Sequence, residues 1–404
     1  MAAAEAVTNT EWRASLERVL GDSPAFFTFE RSMLAEDWGP LPAPERTIVE
    51  LADSVPAEQN VFTLCERLRQ KGFAVALRAW RNDSRASAFA PFIDILKVDF
   101  RVASPDERAA LVKRYRELQL RLVAENVETD AEFQAASRLG YDYFQGLFFA
   151  SPSVLRTSHV PVTNPGSLRL LKLVQQEELD FDAIGKVVRH DIGFSHSLLK
   201  YLNSAAFHWA SRIESVSQAL FLLGSNGIRK WVWMASVPAL AQNRPPVLVS
   251  QVLMRGRFCE LLAERAGISR DETDPFLAGM FSLLDAILPK SLPEILDELS
   301  IGESVRKSLL GMAGEDDPLS NALGIVKAYE RADFEGIEGA AKRLQLSTAE
   351  MNRCYLEGLQ WVRSFIANYE HTWPATRASD RTGFRRPKQP PKAAPGWRER
   401  VSVR

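Results

Sequence analysis

Ile93-Asp94-Ile95-Leu96-Lys97-Val98, followed by Ser104-Pro105 and then Leu120-Arg121-Leu122-Val123-Ala124, is the passage that decides the fold of the first half. The two flanking runs are rich in β-branched and aliphatic residues and read as buried strands. Between them Ser104 precedes a proline at the first helical position, with acids in the first turn. That pattern predicts a helix to about Glu117. Strand, helix, strand is a parallel βα unit, because parallel strands need a crossover.

The pattern repeats outward. Phe26-Phe27-Thr28-Phe29, Thr47-Ile48-Val49-Glu50-Leu51 and Phe73-Ala74-Val75-Ala76-Leu77 come before it, and a weaker run ends at Asp142-Tyr143-Phe144. Cys65, Leu68 and Arg69 mark a helix that Gly72 closes. Six such strands suit an open doubly wound sheet or an incomplete (β/α)8 barrel.

After Pro152 the strand-like runs stop and helices follow one another. Ser167 is expected to cap a helix carrying Leu168, Leu171 and Val174, and Asp180 one carrying Ile184, Val187 and Val188. Phe194, Leu198 and Leu202 form one helical stripe. Ser215 opens a further helix that Gly224 stops. The expected layout is therefore an α/β domain over residues 1–150, an all-α domain over 151–370, and a basic, Pro-rich disordered tail over 371–404.

The 404 residues carry 50 Lys+Arg against 51 Asp+Glu, a net charge of -1, with 46% hydrophobic residues. This is ordinary globular composition and argues against a general nucleic-acid binder. Residues 375–404 alone hold nine basic and two acidic side chains, leaving the rest at -8. A nucleic-acid contact is accordingly expected only through that tail. The three cysteines, Cys65, Cys259 and Cys354, form neither a disulfide framework nor a metal knuckle, and no segment reads as a signal or membrane span. The expected compartment is the cytoplasm.

His190-Asp191 is the dipeptide of a large metal-dependent phosphohydrolase class, but the following Ile192-Gly193 reads as a helix end, and only five histidines are present. Trp231-Val232-Trp233 reads as a buried pair, with partner anchoring as the other possibility. In the first half Glu50 lies in a strand, Lys97 and Asp99 end another, and Glu125 and Glu128 follow a third. Ligand chemistry in parallel βα folds gathers at the carboxyl ends of strands, so these residues, with Gln145, are the candidate site.

Leu96-Lys97-Val98-Asp99, Val123-Ala124-Glu125-Asn126-Val127-Glu128-Thr129 and Tyr141-Asp142-Tyr143-Phe144-Gln145-Gly146 resemble the later motifs of an EAL domain. That family comprises cyclic-di-GMP phosphodiesterases on a TIM-like barrel. Leu198-Leu199-Lys200-Tyr201-Leu202-Asn203-Ser204-Ala205-Ala206-Phe207, Ile213 to Leu220, and Phe281-Ser282-Leu283-Leu284-Asp285 resemble an HDOD domain, a helical relative of the HD phosphohydrolases without their metal ligands. EAL followed by HDOD is a bacterial signalling architecture. The resemblance thus implies an incomplete TIM-like (β/α) barrel followed by an all-helical HD-related domain. Asn203, Ser204, Ala205 and Asp285 are the HDOD signature positions.

The resemblance also marks departures. Residues 1–24 hold no EAL-x-L-x-R sequence, the family's metal-binding asparagine falls at Thr28, and its paired aspartates fall at Arg78 and Ala79. Glu50, Lys97, Glu125 and Gln145 remain as vestigial site positions. Two divalent ions need several carboxylates, and Arg78 puts a positive charge where a cation belongs. The expectation is a degenerate, truncated EAL module fused to HDOD. It would act without catalysis or cofactor, through contacts with other signalling proteins or as a homodimer, with no membrane and no cyclic-di-GMP partner. The alternative is a cyclic-di-GMP sensor or a residual phosphodiesterase using Mg²⁺ or Mn²⁺ with Glu50, Glu125, Lys97 and Gln145. The open edges of a partial barrel are expected to be covered by residues 1–24, the helical domain or a second subunit.

Overall fold

The computed structural model describes residues 24–31, 41–79, 84–148, 165–176, 178–204, 207, 211–241, 244, 246–268, 274–288, 290–299, 301–331 and 333–369. The chain divides into two compact units, one holding the strands and the other helical, which are taken in turn.

In the first unit all six anticipated strands form: β1 (Ala25–Phe29), β2 (Thr47–Leu51), β3 (Ala74–Ala79), β4 (Ile95–Asp99), β5 (Arg121–Glu125) and β6 (Tyr143–Phe144). They pair in the order β1-β2-β3-β4-β5-β6, every neighbour parallel. A doubly wound sheet reverses its order partway. A sequential order with right-handed crossovers instead keeps every helix on one face. This is the arc of a partial (β/α) barrel, and the doubly wound possibility falls away.

The sheet's two faces follow from the period of two. Val49, Leu51, Val75, Leu77, Leu96, Val98, Leu122 and Ala124 point to the helix side. There they join Val61, Cys65 and Leu68 of α1 (Gln59–Gln70), Phe89 of α2 (Ser84–Phe89), and Leu111 and Tyr115 of α3 (Pro105–Glu117). The residues between them make a small inner cluster of Ile48, Ala74, Ala76, Ile95 and Val123, with Tyr143 against it. One step further along the same inner rows stand Glu50, Arg78, Lys97 and Glu125.

Local chemistry sets the element ends. Ser104 accepts from the Glu107 N–H while Glu107 accepts from the Ser104 N–H, a capping box; Thr129 and Glu132 repeat it at α4 (Asp130–Leu139). After α1 the N–H of Phe73 bonds Leu68 O at 3.0 Å and that of Gly72 bonds Arg69 O at 3.0 Å, with Gly72 at φ 94. This is a Schellman stop of the kind the glycine announced. Asp94 and Asp142 each precede a strand and accept the N–H of a residue on the neighbouring one, Val75 at 2.9 Å and Leu122 at 2.8 Å.

The second unit is helical throughout its described residues. It comprises α5 (Pro165–Val174), α6 (Phe181–His190), α7 (Ile192–Leu202), α8 (Val216–Leu240), α9 (Pro246–Arg265), α10 (Pro275–Phe281), α11 (Leu284–Ile287), α12 (Leu292–Glu298), α13 (Glu303–Leu310), α14 (Pro318–Arg331), α15 (Phe334–Leu344) and α16 (Thr348–Tyr369). Asp180, Asp191 and Ser215 cap α6, α7 and α8 with their side chains. Gly224 breaks α8 as anticipated, at φ 62 and ψ -178, and a second helical stretch continues to Leu240.

Ser167 is not a cap. The helix already starts at Pro165, so Ser167 is buried within it, and the buried stripe is Leu170, Leu171 and Val174 while Leu168 is exposed. Trp231 and Trp233 are both buried, set edge-on to Phe194 and Phe281, which removes them as partner anchors. The three cysteines are free and buried, and desolvation pushes the Cys65 thiol up to about 12. No single helix among the described residues is long and apolar enough to cross a membrane. The 371–404 tail, the junction near residue 152 and residues 1–23 of the expected edge cover lie outside the described residues.

Candidate functional site

Parallel register brings four side chains of the inner face to the carboxyl edge of the sheet. Arg78 of β3 lies beside Lys97 of β4, with Glu50 on the strand before and Glu125 on the strand after. Lys97 Nζ donates to Glu50 Oε2 at 2.8 Å and lies 3.1 Å from Glu125 Oε1. Arg78 Nη2 donates to Glu125 Oε1 at 2.9 Å and lies 3.3 Å from Glu50 Oε1. Both cations thus bridge both carboxylates, and the four formal charges cancel.

Glu50, Lys97 and Glu125 are each 2% exposed, whereas the Arg78 side chain is 36% exposed. The hydrogen bonding is incomplete. Arg78 Nε is 2.9 Å from Glu125 Oε2 without the alignment of a hydrogen bond, and Glu50 Oε1 also has no aligned donor. Buried carboxylate oxygens in that state carry a desolvation cost that only the nearby charge offsets. Burial pulls the Arg78 pKa down, but the Glu125 and Glu50 charges outweigh it, so the guanidinium is held more firmly protonated than usual.

Three neighbours complete the edge. Lys97 Nζ sits 5.0 Å from the Phe26 ring of β1, a cation–π contact. Asp53, half exposed beyond β2, stands 4.0 Å from Arg78 Nη1 and 3.9 Å from Arg85 Nη1. Arg85 itself donates to the backbone carbonyls of Ala52, Val55 and Arg78 at 2.8, 3.1 and 3.1 Å.

The other sequence candidates are dispersed. Thr28 pairs in register with Glu50 but is exposed, and Gln145 is exposed after β6. Ala79 ends β3 opposite Val98. Asp99 is engaged by Arg101: the Arg101 N–H lies at 2.9 Å, and the guanidinium Nη2 is 3.1 Å from Oδ2. Glu128 lies exposed before α4. Gly146 has a structural reason: at φ +148 an added Cβ would stand 2.1 Å from Val127 O, so only glycine lets the chain pass there. Asp53, Arg85 and Phe26 were not in the candidate set. Asp53 sits in a connecting segment and Arg85 in the first turn of the short helix α2, where no period points to them.

In the helical unit the signature positions do not converge on a site. Asn203 closes a loop, its amide donating to Leu199 O and Ile213 O at 2.8 Å each and accepting the Ile213 N–H at 2.9 Å. Ser204 continues that turn, its N–H bonding Tyr201 O at 3.2 Å, and Ala205 lies outside the described residues. Asp285 is half-buried in the first turn of α11, and burial raises its pKa. His190 and Asp191 are a helix end and the next helix's cap, as their sequence context indicated. No group of three His, Cys, Asp or Glu among the described residues is placed to hold a metal ion.

A sequential parallel sheet with charges at its carboxyl edge, followed by an all-helical unit, is the layout of the EAL–HDOD proteins, and the chain is one of them. The EAL domain matches residues 40–152 and the HDOD domain residues 160–300. The cyclic di-GMP phosphodiesterase CdgJ of Vibrio cholerae is 28% identical over 325 residues, covering 80% of this chain and 74% of that protein. The uncharacterized protein YuxH of Bacillus subtilis is 27% identical over 374 residues, covering 90% of each. A crystal structure of the Bacillus subtilis YkuI protein, with an EAL domain and in complex with substrate c-di-GMP and calcium, shares 17% identity. It covers 44% of this chain and 57% of that one, with a TM-score of 0.30.

These relations correct three expectations: that the chain is non-enzymatic, that it acts through protein contacts alone, and that cyclic-di-GMP is no partner. The EAL match and the relative named as a cyclic di-GMP phosphodiesterase stand against all three.

The divalent ions that the family implies are a separate matter. A hard cation takes about six oxygen ligands. Here two carboxylates converge and Arg78 occupies the space between them. At an effective dielectric of about 20, each unit of added positive charge about 4 Å from the guanidinium costs on the order of 4 kcal/mol. As arranged, these residues do not fit a pair of divalent cations.

Proposed function

We propose that this chain takes cyclic-di-GMP as its substrate and opens one of its phosphodiesters, with the EAL half carrying the site. The observation that carries the reading is the four-residue cluster at the carboxyl ends of β2–β5, with Arg78 at its open edge. The kinship with a phosphodiesterase supports it. Hydrolysis adds water across a P–O bond: hydroxide joins phosphorus, and the sugar oxygen leaves with a proton. A guanidinium and an ammonium offset the charge that builds on the phosphoryl oxygens, and a carboxylate beside them accepts or orients the water's proton. Of the two carboxylates Glu125 lies closer to the solvent-reaching Arg78, with Nη2 and Nε each at 2.9 Å, so it is the residue we assign to that proton.

The test is turnover of cyclic-di-GMP by the purified full chain, followed chromatographically as a linear dinucleotide. Wild type forms it and Glu125→Gln lowers the rate by about a hundredfold or more. Absence of both turnover and calorimetric binding at high micromolar dinucleotide refutes the reading. The domain limits 1–150, 151–370 and 371–404, and a reducing cytoplasmic setting suited to three buried free thiols, belong to the same proposal.

A further inference from the structure

We propose that Arg78 is the resident cation of this site: its guanidinium takes the position of a divalent ion between Glu50 and Glu125, so a phosphodiester is engaged through Arg78 without a metal. The ligand part rests on the function proposed above; the cation part does not.

Three observations carry it. First, Glu50 Oε1 and Glu125 Oε2 are buried carboxylate oxygens without an aligned donor, and both face Arg78, at 3.3 and 2.9 Å. Oxygens in that state are where a cation belongs, and the one present is the guanidinium. Second, Glu50 and Glu125 are already balanced by Lys97 and Arg78, so a further dication would bring charge that nothing in the cluster offsets. Third, Arg78 alone of the four reaches solvent, and its Nη1 points to the half-exposed Asp53 side rather than to the glutamates. A planar fork with one edge on carboxylates and another at the opening is suited to receive a phosphoryl oxygen. Arg85 is a positioning residue: by holding the carbonyls of Ala52, Val55 and Arg78 it fixes the strand ends from which Arg78 projects.

The experiment has two arms on the full chain. In the first, MnCl2 alone is titrated calorimetrically into wild type, Arg78→Asp and Arg78→Lys. Wild type and Arg78→Lys take up no manganese to about 1 mM, while Arg78→Asp gains a site at least about tenfold tighter. Manganese binding by wild type that Glu125→Gln removes overturns the proposal. So does an Arg78→Asp protein, folded by circular dichroism, that binds no more manganese than wild type. The wild-type titration decides the matter even if Arg78→Asp does not fold. In the second arm cyclic-di-GMP is titrated in EDTA and in manganese. Affinities within about twofold of each other, and a loss of about tenfold in Arg78→Ala, are expected; affinity abolished by EDTA overturns metal-free engagement. No dinucleotide binding in either buffer refutes the proposed function, while the manganese arm still settles what Arg78 replaces.

Discussion

Arg78 and Arg255 are both arginines set against buried glutamates, one in each unit, and they differ in how much of their hydrogen bonding is used. Arg255 of α9 donates from Nε and Nη2 to Glu330 of α14 at 2.7 and 2.6 Å, and from Nη1 to the Ser282 hydroxyl and carbonyl at 2.9 and 3.0 Å. Its side chain is 9% exposed. Arg78 leaves its Nε unaligned and is 36% exposed. A fully satisfied pair ties helices together and has nothing left to offer a ligand. A partly satisfied one at a sheet mouth keeps capacity in reserve. The same residue type thus reads as a strut in one unit and as a site in the other.

The largest expected effect tests the strut. Arg255→Ala leaves the Glu330 side chain, 10% exposed, without its two-point partner, and should cost about 3–5 kcal/mol in chemical denaturation of the full chain. Arg78→Ala should cost less, since its side chain already meets water. Equal losses, or a larger one at Arg78, would break the comparison. Next comes Asn203→Ala, which removes three hydrogen bonds that close the loop before Ile213. About 2 kcal/mol of stability should go, with faster amide exchange confined to the helical unit and no change in dinucleotide binding.

The smallest effects concern two aspartates of opposite sign. For Asp99, burial raises the pKa but hydrogen bonds from Arg101 and Asn126 outweigh it, so the folded value falls below the ordinary 3.8. Its contribution is present above the unfolded value and is lost as pH falls through the lower folded one. Asp99→Asn should therefore lower stability near neutrality and change nothing in strong acid. For Asp285, burial raises the folded value above 3.8. Its cost is absent below the unfolded pKa and is fully present once pH exceeds the folded one. Asp285→Asn should accordingly stabilise the neutral protein and be silent in acid. Amide exchange across a pH series, read separately for the two units, checks both signs.

Much of this was legible in the chain. All six strands and the caps Ser104, Asp180 and Ser215 follow from local periods and local hydrogen bonds, which a sequence carries directly. The order of the strands does not, because parallel units are compatible with either winding until the crossovers are seen. Ser167 misled because a capping residue type stood two positions inside a helix that a proline had already begun. The convergence of Glu50, Arg78, Lys97 and Glu125 was only half legible: period two puts them on one face, but the register between strands decides that Arg78 reaches Glu125 two strands away. The non-enzymatic expectation, which the EAL match and the phosphodiesterase relative overturn, rests on Arg78 facing a metal. A guanidinium repels a dication but attracts a phosphodiester, so that charge alone does not exclude catalysis.

Arg85 grips main-chain oxygens at this mouth, including the carbonyl of residue 78 itself, which any amino acid there would keep. The rim is therefore held independently of the side chain it displays, like a socket whose fitting can be exchanged. Charge at position 78 becomes a variable that can be turned from positive through neutral to negative on a fixed frame, by evolution or by the experimenter.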